Sequence, residues 1–508
     1  MNIITENLIQ SKPVMDSIQS FCDKYVTKKV LSSCGIKKQA DIEEEQALTY
    51  AVPKNWIDNS SEEGSNETIF ITEPIRKVKA KCIAARRLFI DYLNAFLLSF
   101  SIYFLMKEKM YFDGYEKDTL YRFLEIKGAN WEKLQTTVAA SLVADIEEQT
   151  SDDHTNVLAI DDSLYRRSGN GRGTELCGKV FDHNDRKMRI GYRMMTAVWT
   201  NGDVTIPVSQ VLLTTKDPEL QVGKFDKKDG RTIEGKRQAR ALTKGTDTVT
   251  NMVKLAQENK IPFKYVLFDT WFSKPSQLVA LKNLGTDVIA MIAKGKTKFT
   301  VIDPNTQEPV KRNVKEIYSM FKKRPGKSRY LLSVKATATD SNGQSIEVKL
   351  VFARNRNNRK DWICIVCTDS DLDEGTILST YTLRWNIEVY FKTVKSYMRL
   401  TSECHSTKYD ALTAHMVLVA IRYMALVFDT FRREESRSID EIFEQAKREV
   451  INHMINSALT IIIDCLIDAI MDLLHLTDEQ MEQIYSNFYN RLPPSWRERF
   501  NSPEKKAV

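Results

Sequence analysis

From position 156 the chain alternates short apolar runs with longer amphipathic stretches, the pattern of strands and helices in an α/β core. "NVLAIDDS" is an apolar run that closes on two aspartates, Asp161 and Asp162. "MRIGYRMMTAVWTNGDVTIPVSQVLL" (188–213) reads as two strands joined by a turn at "TNGD". The polar, basic "KFDKKDGRTIEGKRQARALTKG" (224–245) comes next, and a helix is predicted over 243–259. "YVLFDTWF" (265–272) is another apolar strand, followed by an acid, Asp269. A helix in "SKPSQLVALKNLG" ends at Gly285, and "DVIAMIAKG" is a further strand.

The alternation stops at 296. Residues 296–375 are β-rich, with "SNGQ" marking a turn, and from 376 onward the pattern is mostly helical. Residues 1–40 read as a short helical lead, 41–85 as irregular with an exposed loop at "DNSSEEGSNET" (58–68), and 86–150 as helical. Within the last of these, "EKDTLYRFLEIKGANWEKL" (116–134) predicts a short helix, a turn and a second helix. It fits a helix-turn-helix loosely and a plain helical pair equally well. The expected architecture is an α/β core interrupted by a β-rich insertion, with helical N- and C-terminal regions. Its expected segments are 1–150, 151–295, 296–375, 376–430 and 431–508.

Composition changes this picture little. A chain of 508 residues exceeds one simple core, and 42% hydrophobic with 28% charged residues is ordinary for a globular protein. The net charge of +7 permits a polyanionic partner without requiring one. Of eight cysteines only Cys364 and Cys367 form a CxxC; they lie in the strand-like "DWICIVCTD" with no second pair to complete a metal site. Reduced, buried thiols are expected, suited to the cytoplasm. "LFIDYLNAFLLSFSIYFLM" (88–106) is long enough to span a membrane, but Asp91, Asn94, Ser99 and Ser101 favour a buried helix. The N-terminus lacks the basic and apolar regions of a secretory signal, so no membrane association is expected.

The candidate chemistry begins with the acids. Asp161 and Asp269 each follow a strand-forming apolar run, which places them at the sheet rim where open α/β sheets bind ligands. Two carboxylates brought together need a positive charge between them, and a divalent ion is the usual solution. Ordinary loop aspartates satisfy the same pattern. "YTLRWNIEVYFKTVK" (381–395), wound as one helix, gathers Tyr381, Arg384, Glu388 and Lys395 on one face. Leu383, Ile387, Tyr390, Val394 and Met398 gather on another. That polar face suits a third carboxylate with phosphate-holding cations, and equally suits a surface with Arg384 paired to Glu388.

These residues resemble a known family. Y-x2-R-x3-E-x6-K is the signature of one branch of bacterial insertion-sequence transposases with a DDE site on an RNase H-like core, and Tyr381, Arg384, Glu388 and Lys395 match it at every spacing. "LAIDDSLYRRS" (158–168), "FDHNDRKMRIGYRMMTAVWTNGD" and "YVLFDTWFSKP" resemble its two aspartate segments and the strands between them. "FCDKYVTKKVLSSCGIKK" (21–38) and "DTLYRFL" (118–124) are similar to its N-terminal helical region. The branch also carries a β-rich insertion between the second aspartate and the glutamate, as at 296–375 here.

The resemblance implies that Asp161, Asp269 and Glu388 bind two Mg²⁺ or Mn²⁺ ions for phosphodiester hydrolysis and strand transfer. It implies that Tyr381, Arg384 and Lys395 hold DNA phosphates, and that Trp385 stacks on a displaced base or else packs. The D-x-Ser spacing favours Asp161 over Asp162; adjacent strand residues face opposite ways, so one of them reaches the ions. The implied partners are double-stranded DNA, as terminal inverted repeats and as target, and a second copy of the chain in a homodimer. The basic stretches "YRRSGNGR" (165–172), "KKDGRTIEGKRQAR" (227–240) and "RNRNNRK" (354–360) are candidate backbone contacts or solvated loops. Asp464, Asp468 and Asp472 form one acidic stripe, read as a solvated helix face.

Overall fold

The computed structural model describes residues 13–37, 39–40, 48–53, 68–73, 82–83, 85–95, 119–150, 154–182, 185–325, 328–355, 358, 361–433, 439, 441–445, 447–448, 465–466, 469–470 and 477–493. Its centre is a mixed sheet of eleven strands. These are β1 (Val157–Arg166), β2 (Gly178–Asp182), β3 (Lys187–Thr200), β4 (Thr205–Leu213), β5 (Tyr265–Phe268) and β6 (Asp287–Ile292). They continue as β7 (Lys298–Ile302), β8 (Pro309–Asn313), β9 (Leu332–Thr339), β10 (Ser345–Arg354) and β11 (Trp362–Cys367). The order across the sheet is β8-β7-β9-β10-β11-β6-β5-β1-β3-β2, with β4 also paired to β3.

Three antiparallel strands, β1, β3 and β4, join two strands parallel to β1, namely β5 and β6. This mixed α/β arrangement is consistent with the RNase H-like core expected from the sequence. The central parallel strand β5 is a fully apolar run, "YVLF", buried along its whole length. β3 is longer than any apolar run in it. Its first four residues are exposed or half-buried and pair with β2, while "MTAVWT" is buried between β1 and β4. Gly191 stands at that transition, where a Cβ would meet the Tyr165 carbonyl oxygen at 2.2 Å, so only glycine fits.

Helices α1 (Pro13–Tyr25), α2 (Lys28–Ser33), α3 (Ala85–Ala95), α4 (Thr119–Leu124) and α5 (Trp131–Glu147) precede the sheet. The "EKDTLYRFLEIKGANWEKL" stretch holds α4 and α5, its first three residues lying outside the described ones. α5 is capped by Asn130, whose side chain accepts from the Lys133 amide, and it buries Trp131, Leu134, Val138 and Leu142 in the core. Lys133, Thr137, Ser141 and Ala144 leave α5 one narrow exposed stripe opposite that buried face. α6 (Ile233–Ala241), α7 (Gly245–Glu258) and α8 (Pro275–Lys282) intervene between β4 and β6, then come α9 (Val314–Met320), α10 (Glu374–Thr382), α11 (Trp385–Ser396), α12 (Tyr409–Arg433) and α13 (Asp478–Arg491). Among the described residues α12 is the only helix long and apolar enough to cross a membrane, and it is wholly buried inside the protein.

Four expectations change. The 1–150 region is not helical throughout: Leu48–Pro53 pairs with Thr68–Glu73, and Gln39–Ala40 with Cys82–Ile83. The 296–375 stretch also holds a helix, α9, set by a capping box between Asn313 and Glu316. Residues 381–395 are not one helix; the chain bends between α10 and α11. At the bend, amides bond three residues back, as Arg384 to Tyr381 and Ile387 to Arg384, the tighter winding of a 3₁₀ turn. Finally, Asp161 is not at a strand end. β1 runs on to Arg166 because β3 keeps pairing with it after β5 has stopped. Cys364 and Cys367 are free and fully buried on β11, where burial pushes the Cys367 thiol up to about 12. Of the 88–106 stretch, residues 88–95 are described and form part of α3, with Leu88, Phe89, Tyr92 and Leu93 buried. Residues 96–106, most of 356–360 and Asp464, Asp468 and Asp472 lie outside the described residues.

Candidate active site

Register brings the two aspartates together. β1 and β5 pair in parallel through Val157 with Tyr265, Leu158 with Val266 and Ala159 with Leu267. Two positions further along lie Asp161 on the continuing β1 and Asp269 just past the end of β5. The Asp269 charge and, more strongly, burial push the Asp161 carboxyl up to about 7. Asp269 is fixed by its own turn, its Oδ1 accepting from the Trp271 amide at 2.9 Å.

α11 lies across this edge of the sheet. Its apolar face, Ile387, Tyr390, Val394 and Met398, is buried as the sequence pattern required. Its start is tied down by Asn386, whose side-chain amide donates to Thr200 Oγ1 at 3.0 Å in the β3–β4 turn. The bend at Leu383–Arg384 turns Arg384 inward. One guanidinium nitrogen meets Asp161 Oδ2 at 3.2 Å and the other meets Glu388 Oε1 at 2.7 Å. The Arg384 side chain is 14% exposed, so this bridge sits largely out of water. Its charge lies 5.9 Å from the Tyr381 ring centre, and the Tyr381 hydroxyl is buried without a hydrogen-bond partner. Burial pushes Tyr381 up to about 12 against the pull of Arg384, with Asp269 and Asp161 adding to the rise.

Lys395, at the far end of α11, donates to Ser163 Oγ at 2.6 Å. Burial lowers its pKa, and Asp182 and Asp162 oppose the shift. Asp162 points the other way from Asp161 and pairs with Arg193 at 3.0 Å. Trp385 stands 60% exposed beside Arg384. The structure therefore brings Asp161, Asp269, Tyr381, Arg384 and Glu388 into one cluster and sets Lys395 on Ser163 two residues from Asp161.

The sequence reading missed two neighbours, Arg193 and Trp271. The Arg193 guanidinium lies 5.6 Å from the centre of the Trp271 ring, itself 52% exposed. Nothing in the pattern of β3 distinguishes Arg193 from its polar neighbours; only Trp271, two residues after Asp269, was a visible signal. The basic segments fare differently. Arg237, at 2% exposure, is locked to Glu132 and Asp410, and Lys228 to Asp410. Arg167 donates to the carbonyls of Cys404 and Ser406. All three hold the fold together, and the charges of Arg237 and Lys228 are neutralised by those carboxylates.

The donor chemistry fits a hard divalent cation in part. Asp161 and Asp269 supply adjacent carboxylate oxygens, and burial with the Asp269 charge drives Asp161 toward protonation even with Arg384 beside it. Glu388 is joined to Asp161 only through Arg384. Among the described residues no group of three acidic, histidine or cysteine side chains is close enough to ligate one ion. A third carboxylate ligand requires Arg384 to move.

The match to known families bears on this cluster. A family model described as DDE superfamily endonuclease matches residues 105–335, which include Asp161 and Asp269 and stop short of Glu388. Over those residues the chain is DDE-class and transposase-like. Its endonuclease domain is of a class that works with divalent metal ions on DNA. No curated protein matches the chain.

The Asp161 environment in this DDE-class domain has a measurable consequence. With metals removed by EDTA, Asp161 takes up a proton near pH 7 in the folded state but only near 3.8 when unfolded. Its contribution to stability is full below 3.8, declines as pH rises, and is lost above about 7. Asp161→Asn has no such loss. The variant's advantage in thermal unfolding over the wild type is therefore expected to be largest above pH 7 and to shrink toward acid. An advantage constant with pH would contradict the geometry.

Proposed function

We propose that the chain is an insertion-sequence transposase of the branch marked by Tyr381, Arg384, Glu388 and Lys395. In this reading it cuts DNA at terminal inverted repeats and joins the ends to a target. The observation that carries the reading is the Asp161–Asp269 carboxylate pair with Arg384 spanning from it to Glu388. Asp161, Asp269 and Glu388 are the metal-binding carboxylates, for Mg²⁺ or Mn²⁺. Bound there, two such ions supply an activated hydroxyl and stabilise the leaving oxygen at a phosphodiester.

The chain's own residues do the rest. Arg384 leaves the carboxylates for an incoming phosphate, to which its planar fork is matched. This exchange frees Asp161 and Glu388 together. The buried Tyr381 hydroxyl gains in the phosphate the partner it lacks, and Lys395 carries a mobile charge to the same strand. Residues 151–295 and 376–430 form the catalytic core around a 296–375 insertion; 1–150 recognise DNA ends and 431–508 serve assembly into a dimer. The chain acts in the cytoplasm.

The test is Mg²⁺-dependent cleavage and joining of DNA that carries the inverted repeats flanking its coding sequence. Cleavage without joining identifies a nuclease that lacks strand transfer. Trp385 has its own expectation. A base stacked on it contributes about 1–3 kcal/mol to binding, so Trp385→Ala weakens binding of end DNA by that amount while leaving thermal stability intact. Unchanged affinity would return Trp385 to a surface role.

A further inference from the structure

Beside β3 the protein has an open groove of about 550 Å³. It runs between the β2–β3 hairpin, the segment following β4 and the start of α7. Lys179, Lys216 and Lys244 line it and are exposed, and none forms an ion pair with a described residue. Asp217 is the one acid in the lining. α7 begins at Lys244–Gly245 in the groove wall, and no side chain caps it. The Thr214 hydroxyl, also in the lining, is buried without a partner. On the hairpin, Phe181 and Met188 face each other across strands and are 43% and 46% exposed.

Arg193 links the groove to the active site. Arg193 lines it and also pairs with Asp162, next to Asp161, while lying over the Trp271 ring beside Asp269. One path thus runs from the carboxylates across an aromatic face into a channel of lysines, an uncapped helix start and an unpartnered hydroxyl. These are the donors that recognise phosphodiester oxygens, and the exposed apolar pair beside them suits bases or sugars.

We propose that this groove is a binding track for the nucleic-acid backbone, holding the DNA strand that continues past Asp161 and Asp269. The inference rests on the DNA reading of the active site. Phosphates lie along Lys179, Lys216 and Lys244 and at the first turn of α7, and Trp271 carries a base at the junction.

The test is binding of a fluorescein-labelled 30-base-pair duplex of random sequence, by anisotropy, to the full chain in EDTA across a KCl series. The combined variant Lys179→Ala, Lys216→Ala, Lys244→Ala should bind about tenfold or more weakly, with a log–log salt slope shallower by about 2–3. A control variant, Lys298→Ala, Lys311→Ala, Lys315→Ala, removes the same charge from β7, β8 and the start of α9 and should bind like the wild type. Equal salt slopes for the groove variant and the wild type overturn the groove. Equal losses in both variants reduce the effect to net charge and overturn it too. Failure of the wild type to bind any duplex overturns the DNA reading itself, which separates the two outcomes.

Discussion

Replacing Glu388 with Gln, or Asp161 or Asp269 with Asn, is expected to lower Mg²⁺-dependent DNA cleavage by on the order of 10³-fold each. A hard cation at these positions depends on formal negative charge, which an amide of the same shape lacks. The charge stabilisation such an ion supplies is several kcal/mol; about 4 kcal/mol corresponds to about three decades in rate. The folded state should survive every one of these changes. Asp161→Asn removes a buried carboxylate pushed to about 7, so above neutral pH this variant should be more stable than the wild type while being inactive. Glu388→Gln keeps an oxygen for the Arg384 hydrogen bond, and its side chain is 38% exposed, so stability should barely change. Loss of activity with stability held or raised is the signature of a functional site, because a structural carboxylate would lose both. Equal cleavage by wild type and Glu388→Gln would sink the assignment.

Much of this site was legible before any coordinates. The apolar runs before Asp161 and Asp269 specified two neighbouring parallel strands, and strand register did the rest, since period-two geometry leaves little freedom once the core face is fixed. The same alternation separates Asp161 from Asp162. The buried face of α11 followed from spacing alone. The bend at Leu383–Arg384 did not, because a pattern read at 3.6 residues per turn is nearly blind to a single 3₁₀ turn. That turn matters most: it places Arg384 between Asp161 and Glu388. Basic segments were the least legible. "KKDGRTIEGKRQAR" reads as a DNA contact or a solvated loop, yet Arg237 is buried against Glu132 and Asp410, which lie 105 and 173 positions away. Composition cannot say which lysines and arginines are consumed by partners so remote in sequence.

Arg422→Met is expected to destabilise the protein by about 3–5 kcal/mol, the range for leaving a buried charge without its partner. Arg422 and His415 sit on α12 and Glu403 in the segment before it, at 1%, 0% and 0% exposure. It holds Glu403 in a two-pronged ion pair, one contact at 2.8 Å, and donates to the carbonyls of Tyr92 and, at 3.1 Å, Leu93, near the C-terminal end of α3. His415 cannot substitute. Burial and then Arg422 hold it down to about 3, so it stays neutral, its ring spent on Tyr92 at 2.7 Å and the Leu400 carbonyl at 3.0 Å. Without Arg422 the Glu403 carboxylate, already raised by burial, keeps only the weaker pull of Arg399. Its cost is relieved only when it is protonated, so the destabilisation should shrink as pH falls. The double variant Arg422→Met with Glu403→Leu removes both charges and should recover most of the loss, leaving the unmet Tyr92 and Leu93 carbonyls as the residue of the change. Urea unfolding of the three proteins decides it; a double variant no better than the single would show that the carbonyl contacts, rather than the ion pair, dominate. The consequence reaches the active site, since Leu400 and Glu403 lie just beyond α11. Loosening them releases the end of the helix that carries Lys395 before it disturbs the start, which Asn386 holds to the β3–β4 turn.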